Sequence, residues 1–183
     1  MEYAISVQPT PNPNALKFVL NVPVKSKDSA VYRQYAECGE NKIAEALLRL
    51  DNVTEVYFSS NFITVTQNGG GDWDAIEERV RKVILELMKD HDPDFATTAS
   101  QQSARPAATG ELGKIEAILD ATIRPALQRD GGDLTVVGLD GKVLTISYQG
   151  ACGCCPHATM GTLFAIQNIL RDQYDPEITV EMS

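Results

Sequence analysis

The chain opens on alternation. Tyr3, Ile5 and Val7 are apolar between polar neighbours, and Leu16, Phe18 and Leu20 repeat the pattern, so two half-buried strands are expected. Between them, Pro9-Thr10-Pro11-Asn12-Pro13-Asn14 removes backbone donors and favours turns, and it reads as a rigid loop rather than a binding element. Residues 21–40 have no firm period; Val31, Tyr32, Tyr35 and Cys38 make only a weak helical stripe. From Asn41 the spacing becomes helical, with Ile43, Leu47 and Leu50 on one face. Val53 to Ser59 and Phe62 to Gln67 then read as strands around a Ser60-Asn61 turn. Asp72 is the expected N-cap of a helix whose core stripe is Trp73, Ile76, Val80, Val83, Ile84 and Leu87. Strand–strand–helix–strand–strand–helix over residues 1–92 predicts a sheet with helices on one face.

Residues 93–110 are small and polar and show no period. Such a stretch cannot bury enough apolar surface to hold one conformation, so a flexible linker is expected, one that lets its two flanks reorient. Residues 111–183 resume the pattern. Leu112, Ile115, Leu119, Ile123 and Leu127 mark a helix that Pro125 should kink. Asp130-Gly131-Gly132-Asp133 ends it. Leu134–Val137 and Lys142–Tyr148 flank Asp140-Gly141, a hairpin turn. Leu163, Ile166 and Leu170 mark another helix, and Ile178-Thr179-Val180 closes as a short strand. The expected fold class is therefore α+β: two small α/β sandwich domains, ββαββα then αββαβ, joined by the linker.

Composition narrows the partners. A net charge of −9 leaves no basic face for phosphates, so nucleic acid is not the expected partner. No apolar run reaches the roughly 18 residues of a membrane span. The N-terminus lacks the marks of a secretory signal or a mitochondrial presequence. The four cysteines do not form a secreted disulfide framework, and a reducing cytoplasm is the expected location.

Three of those cysteines fall within four residues, in Gly150-Ala151-Cys152-Gly153-Cys154-Cys155-Pro156-His157. A strand-like run leads in and a helical pattern leads out. Cys152 and Cys155 form a C-x-x-C pair, and Pro156 suits the first position of a helix. A helix N-terminus favours thiolate over thiol, so two thiolates stand side by side on a strand-to-helix turn. Small packing residues would explain one such cysteine, but not three flanked by Gly and Pro. The arrangement suits thiol–disulfide exchange, half a zinc site, or half an iron–sulfur site. A cluster usually takes four thiolates, and a symmetric pair of chains, each giving Cys152 and Cys155, would supply them. Zinc fits the same four ligands. Against exchange, no strand–helix–strand unit precedes the motif. Cys38 reads as a lone thiol, and His157 as a helix-start residue able to tune a thiolate.

With these residues in place, the second domain resembles the NifU-type C-terminal domain of Nfu-type iron–sulfur cluster carriers. The resemblance runs through Ile123-Arg124-Pro125-Ala126-Leu127, Asp130-Gly131-Gly132-Asp133 and Gln149-Gly150-Ala151-Cys152-Gly153-Cys154-Cys155-Pro156. The first domain resembles the Nfu N-terminal domain at Thr10-Pro11-Asn12-Pro13-Asn14-Ala15-Leu16-Lys17-Phe18, at Phe62–Thr66 and at Asp72-Trp73. Cys154 stands where the family usually has Gly or Ser, and His157 where a small polar residue is usual. The resemblance implies a non-enzymatic assembly factor. It would hold a [4Fe-4S] cluster between two subunits through Cys152 and Cys155 of each, dimerising on cluster binding. It would receive the cluster from an upstream scaffold or donor and pass it to apo iron–sulfur client proteins. The first domain would select those clients.

Overall fold

The computed structural model describes residues 2–97, 110–152 and 156–183, with side chains in the last stretch from Met160 onward. The first unit is a five-stranded antiparallel sheet. Its strands are β1 (Ile5–Pro9), β2 (Ala15–Leu20), β3 (Lys25–Tyr32), β4 (Val53–Ser60) and β5 (Phe62–Gln67), in the spatial order β1-β2-β5-β4-β3. Helices α1 (Lys42–Leu48) and α2 (Trp73–Leu87) bring Ile43, Leu47, Ile76, Val80 and Ile84 against Phe18, Val56, Phe58, Ile63 and Val65 of the sheet. Asp72 caps α2 as expected, its carboxylate accepting from the Asp74 amide at 3.1 Å.

The third strand is the departure from the expected order. Lys25-Ser26-Lys27-Asp28 carries no apolar alternation, and a bulge between Lys25 and Ser29 interrupts its pairing with β4. Asp28 sits at a φ of +58° within that irregularity. Only from Ser29 to Tyr32 does the ladder run unbroken, and there Ala30 and Tyr32 enter the core. Tyr35 belongs to a 3₁₀ turn over Tyr35–Glu37, with Cys38 as its cap. The chain also stays attached to this unit past residue 92. Lys25 Nζ donates to the Phe95 carbonyl at 2.6 Å, and the Phe95 ring packs on Tyr32, Phe58 and His91. Residues 98–109 of the expected linker lie outside the described residues.

The second unit comprises α3 (Glu111–Thr122), α4 (Arg124–Arg129), β6 (Gly132–Asp140), β7 (Val143–Gly150), α5 (Pro156–Gln173) and β8 (Thr179–Met182). The kinked helix is two helices, parted at Ile123. Pro125 falls in the first turn of α4, where its missing amide is not needed. β6 and β7 form an antiparallel hairpin, and β8 joins β7 in parallel, so β7–α5–β8 is a strand–helix–strand crossover. Ile115, Leu119, Leu134, Val136, Leu144, Ile146, Ile166 and Leu170 fill the core. Both units are mixed sheet-and-helix sandwiches, as the hydrophobic pattern required.

Candidate functional site

The cysteine turn begins where β7 ends. Gly150 has a φ of +63°, the left-handed region that favours glycine. Ala151 and Cys152 follow, and the chain enters α5 at Pro156. The turn is seated on the Asp130–Asp133 segment. The Ala151 amide donates to the Gly131 carbonyl at 3.2 Å, and Gly132 pairs with Gly150. The fit is close. A Cβ on Gly132 would lie 2.5 Å from Cys152 Sγ, 2.7 Å from the Gln149 carbonyl and 2.9 Å from the Cys152 amide. A Cβ on Gly150 would lie 2.6 Å from the Gly131 carbonyl and 3.1 Å from Tyr57. The glycines thus leave the room in which the half-buried Cys152 thiol lies. Burial, and next the Cys152 charge, hold the adjacent Tyr148 phenol well above its usual value. Cys154 and Cys155 lie outside the described residues, as does the side chain of His157. Cys38 is remote from this turn in kind and place: it is buried, donates to the Gln34 carbonyl, and burial pushes its thiol up to about 11.

A buried ion network holds the seat. Arg124 is 2% exposed. Its guanidinium donates to Glu116 at 2.5 Å, to Asp133 at 3.2 Å and to the Leu134 carbonyl at 2.8 Å, and lies 2.8 Å from Asp120. Two of the sequence stretches singled out above, Ile123–Leu127 and Asp130–Asp133, are therefore tied to each other through Arg124 and Asp133.

The first unit reaches the same turn. Asn12 Nδ2 donates to the Ala151 carbonyl at 3.1 Å, and Glu55 Oε1 accepts from the Gly150 amide at 2.9 Å. Thr64 Oγ1 donates to the Gly131 carbonyl at 2.6 Å. Lys17 Nζ donates to the carbonyls of Gln128 and Arg129 at 2.9 and 3.2 Å, and the Tyr57 hydroxyl donates to Asp133 at 3.4 Å. Burial pushes the Glu55 carboxyl above the usual carboxylate range; Arg33, 2.7 Å away, and the Gly150 amide oppose this. The Pro/Asn loop is held by internal hydrogen bonds. Thr10 Oγ1 accepts from the Asn12 amide, Asn12 Oδ1 accepts from the Asn14 amide, and Trp73 Nε1 donates to the Pro13 carbonyl. These bonds place Asn12 at the cysteine turn, a contact that the expectation of a non-binding loop missed. The sequence signal was Glu55 and Tyr57 on one face of β4 with Thr64 on the same face of β5, which alternation alone assigns to solvent.

The arrangement presents one thiol at the corner between a parallel strand and a helix. The second cysteine of the pair lies three residues on, just before that helix starts. This strand-to-helix corner lies inside a stretch that a protein-family model matches. Residues 115–181 match the family model described as NifU-like domain, and residues 5–91 match Scaffold protein Nfu/NifU N terminal. The chain is 31% identical over 176 residues to the human protein named NFU1 iron-sulfur cluster scaffold homolog, mitochondrial, covering 95% of this chain and 69% of that one. It is 30% identical over 172 residues to NifU-like protein 5, mitochondrial, of Arabidopsis thaliana, covering 91% of this chain. It spans 62% of that relative's length. A solution structure of a NifU-like protein from Saccharomyces cerevisiae overlaps half of this chain and 82% of its own, with 21% identity and a TM-score of 0.43. The chain belongs to the Nfu family of iron–sulfur cluster scaffold proteins. The expected cytoplasmic location does not stand, because the relatives are named as mitochondrial proteins. A sequence without a secreted disulfide framework does not by itself say which compartment holds the chain.

Proposed function

We propose that the chain carries a [4Fe-4S] cluster as cargo, held between two copies by Cys152 and Cys155 of each, and passes it to apo iron–sulfur proteins. The observation that carries this reading is the Cys152 thiol, half-buried in a glycine-lined seat at the strand-to-helix corner of a NifU-like domain. One chain offers two thiolates at that corner and a cluster usually takes four, so a two-fold pair completes the site. A cluster shared across such an interface is released more readily than one enclosed by a single chain. That property suits a carrier that takes its cargo from an upstream donor, and it requires no catalysis. Residues 1–92 would form the client-selecting domain and residues 111–183 the cluster-holding one.

A second reading, thiol–disulfide exchange, draws support from one observation. β7–α5–β8 is itself a strand–helix–strand unit, with the C-x-x-C pair at its strand-to-helix corner. Anaerobic reconstitution separates the two. The carrier reading expects roughly four irons and four sulfides per dimer, with the cluster and the dimer both lost in Cys152→Ser and Cys155→Ser and mostly kept in Cys154→Ser. A metal-free monomer that reduces disulfides catalytically would replace the carrier reading with the exchange one. Loss of the cluster in Cys154→Ser alone would overturn the ligand assignment.

A further inference from the structure

The outer face of the first sheet carries polar residues beside a small apolar cluster of Val31, Tyr57 and Phe62, and it is covered. Lys17, Glu55, Tyr57, Thr64 and Thr66 are each less than a tenth exposed. An antiparallel sheet with helices on one face usually turns its polar residues to water on the other. Here that face is covered by the end of the second unit that bears the cysteine turn. Two of its contacts bracket the two residues before the thiol, Gly150 and Ala151. Glu55 accepts from the amide of Gly150, and Asn12 donates to the carbonyl of Ala151. The backbone between these two atoms is that of the left-handed Gly150 and of Ala151, and the next residue is Cys152. A carboxylate fixing an amide makes a charge-assisted bond, stronger than a neutral one. Thr64 fixes the seat from the same face, through Gly131.

We infer that Glu55 and Asn12 are positioning residues for Cys152, so that the N-terminal unit, docked reversibly, forms part of the cluster-holding site. Part of the interface is suited to opening. Beside the small apolar cluster of Val31, Tyr57 and Phe62, it carries hydrogen bonds from Asn12, Lys17, Glu55, Tyr57 and Thr64. By strand alternation Thr66 lies on the face of Thr64 and Glu55, while Thr135 and Gln149 lie on the face of Asp133. The side-chain oxygens of all three are buried without a hydrogen-bond partner among the described residues. Separation returns these groups to water, which lowers the cost of undocking relative to an apolar interface of the same size. Docking also fixes the turn before any ligand arrives. Whatever Cys152 then binds has less chain to order, so docking and ligand retention strengthen each other by one common factor. This coupling to cargo rests on the carrier reading; the positioning of Cys152 does not.

The test uses the full chain without cluster. Hydrogen exchange of the 150–152 amides and the alkylation rate of Cys152 by iodoacetamide, read by mass spectrometry, are compared for wild type, Glu55→Ala, Glu55→Gln and Asn12→Ala. Exchange should rise about tenfold or more in Glu55→Ala and Asn12→Ala, and alkylation several-fold. Glu55→Gln keeps an acceptor oxygen and should lie closer to wild type. Unchanged exchange and alkylation in Asn12→Ala would overturn the inference even if Glu55→Ala fails to fold. In reconstituted protein, a chelator should strip the cluster several-fold faster from Asn12→Ala than from wild type, and equal rates would overturn the coupling. A wild type that takes up no cluster would sink the carrier reading while leaving the cluster-free measurements decisive for positioning.

Discussion

Gly132→Ala is the most direct challenge to the geometry of the turn. The added methyl would meet three atoms inside 3.0 Å: the Cys152 sulfur, the Cys152 amide and the Gln149 carbonyl. Two of these are backbone atoms, held by the β6–β7 ladder that pairs Gly132 with Gly150, so they cannot swing aside as a side chain could. Gly132 is not in the left-handed region, so no backbone strain offsets or adds to the clash. Forcing a methyl into a packed site costs about 1–3 kcal/mol. Against this, alanine restricts the unfolded chain and returns roughly 0.4–1 kcal/mol. The net should be about 1–2 kcal/mol, or roughly 4–16 °C in the melting temperature of a domain this small. Gly138→Ala is the control, since nothing lies within 4 Å of its added Cβ. The assay pairs thermal melts of both variants with the alkylation rate of Cys152. Gly132→Ala should melt lower and react at a different rate, while Gly138→Ala should melt at or slightly above wild type, by that same roughly 0.4–1 kcal/mol, with Cys152 reacting as in wild type. Two variants that melt together, with Cys152 reacting as in wild type, would refute the seating of the thiol against Gly132.

Other outcomes follow from groups already described. Arg124→Ala leaves the Glu116 and Asp133 carboxylates buried without their cation, and should cost about 3–5 kcal/mol in urea unfolding. His91 stacks on Phe58 with Nε2 2.7 Å from the Val24 carbonyl, and burial holds its pKa below the ordinary 6.5. The folded chain therefore prefers neutral imidazole. Its stability should be indifferent to this group above pH 6.5 and fall as pH drops below 6.5 toward the folded value. A His91→Gln variant should lack that component of the melting profile, and parallel profiles would refute it. Cys38, with its thiol pushed up to about 11, should resist alkylation at neutral pH in the folded chain while Cys152 reacts. Equal labelling of the two would contradict the burial of Cys38.

The hydrophobic pattern made most of both sandwiches legible, because their core faces are continuous. Ile76, Val80 and Ile84 at helical spacing, and Leu144 and Ile146 at strand spacing, end in the cores their periods assign. β3 was not legible, since Lys25–Asp28 has no apolar alternation and its place comes from pairing with β4 across a bulge. The break at Ile123 was half legible: Pro125 announced a disturbance, and α4 resumed beyond it. The cysteine turn was visible as a motif, with its glycine seat beside it in the sequence. Glu55 and Asn12 were not visible as parts of that site. Their partners lie 95 and 139 residues away, and no local period records a contact of that reach.

The reach from Glu55 to Gly150 also sets an order of events during synthesis. The whole first sheet and both its helices are complete by Leu87, long before the cysteine turn is made. Domains fold as units while the chain emerges at about 5–20 residues per second. The polar face thus stands ready for several seconds before Gly150 and Ala151 leave the ribosome. The nascent turn meets a finished template, which supplies an acceptor for one of its amides and a donor for one of its carbonyls.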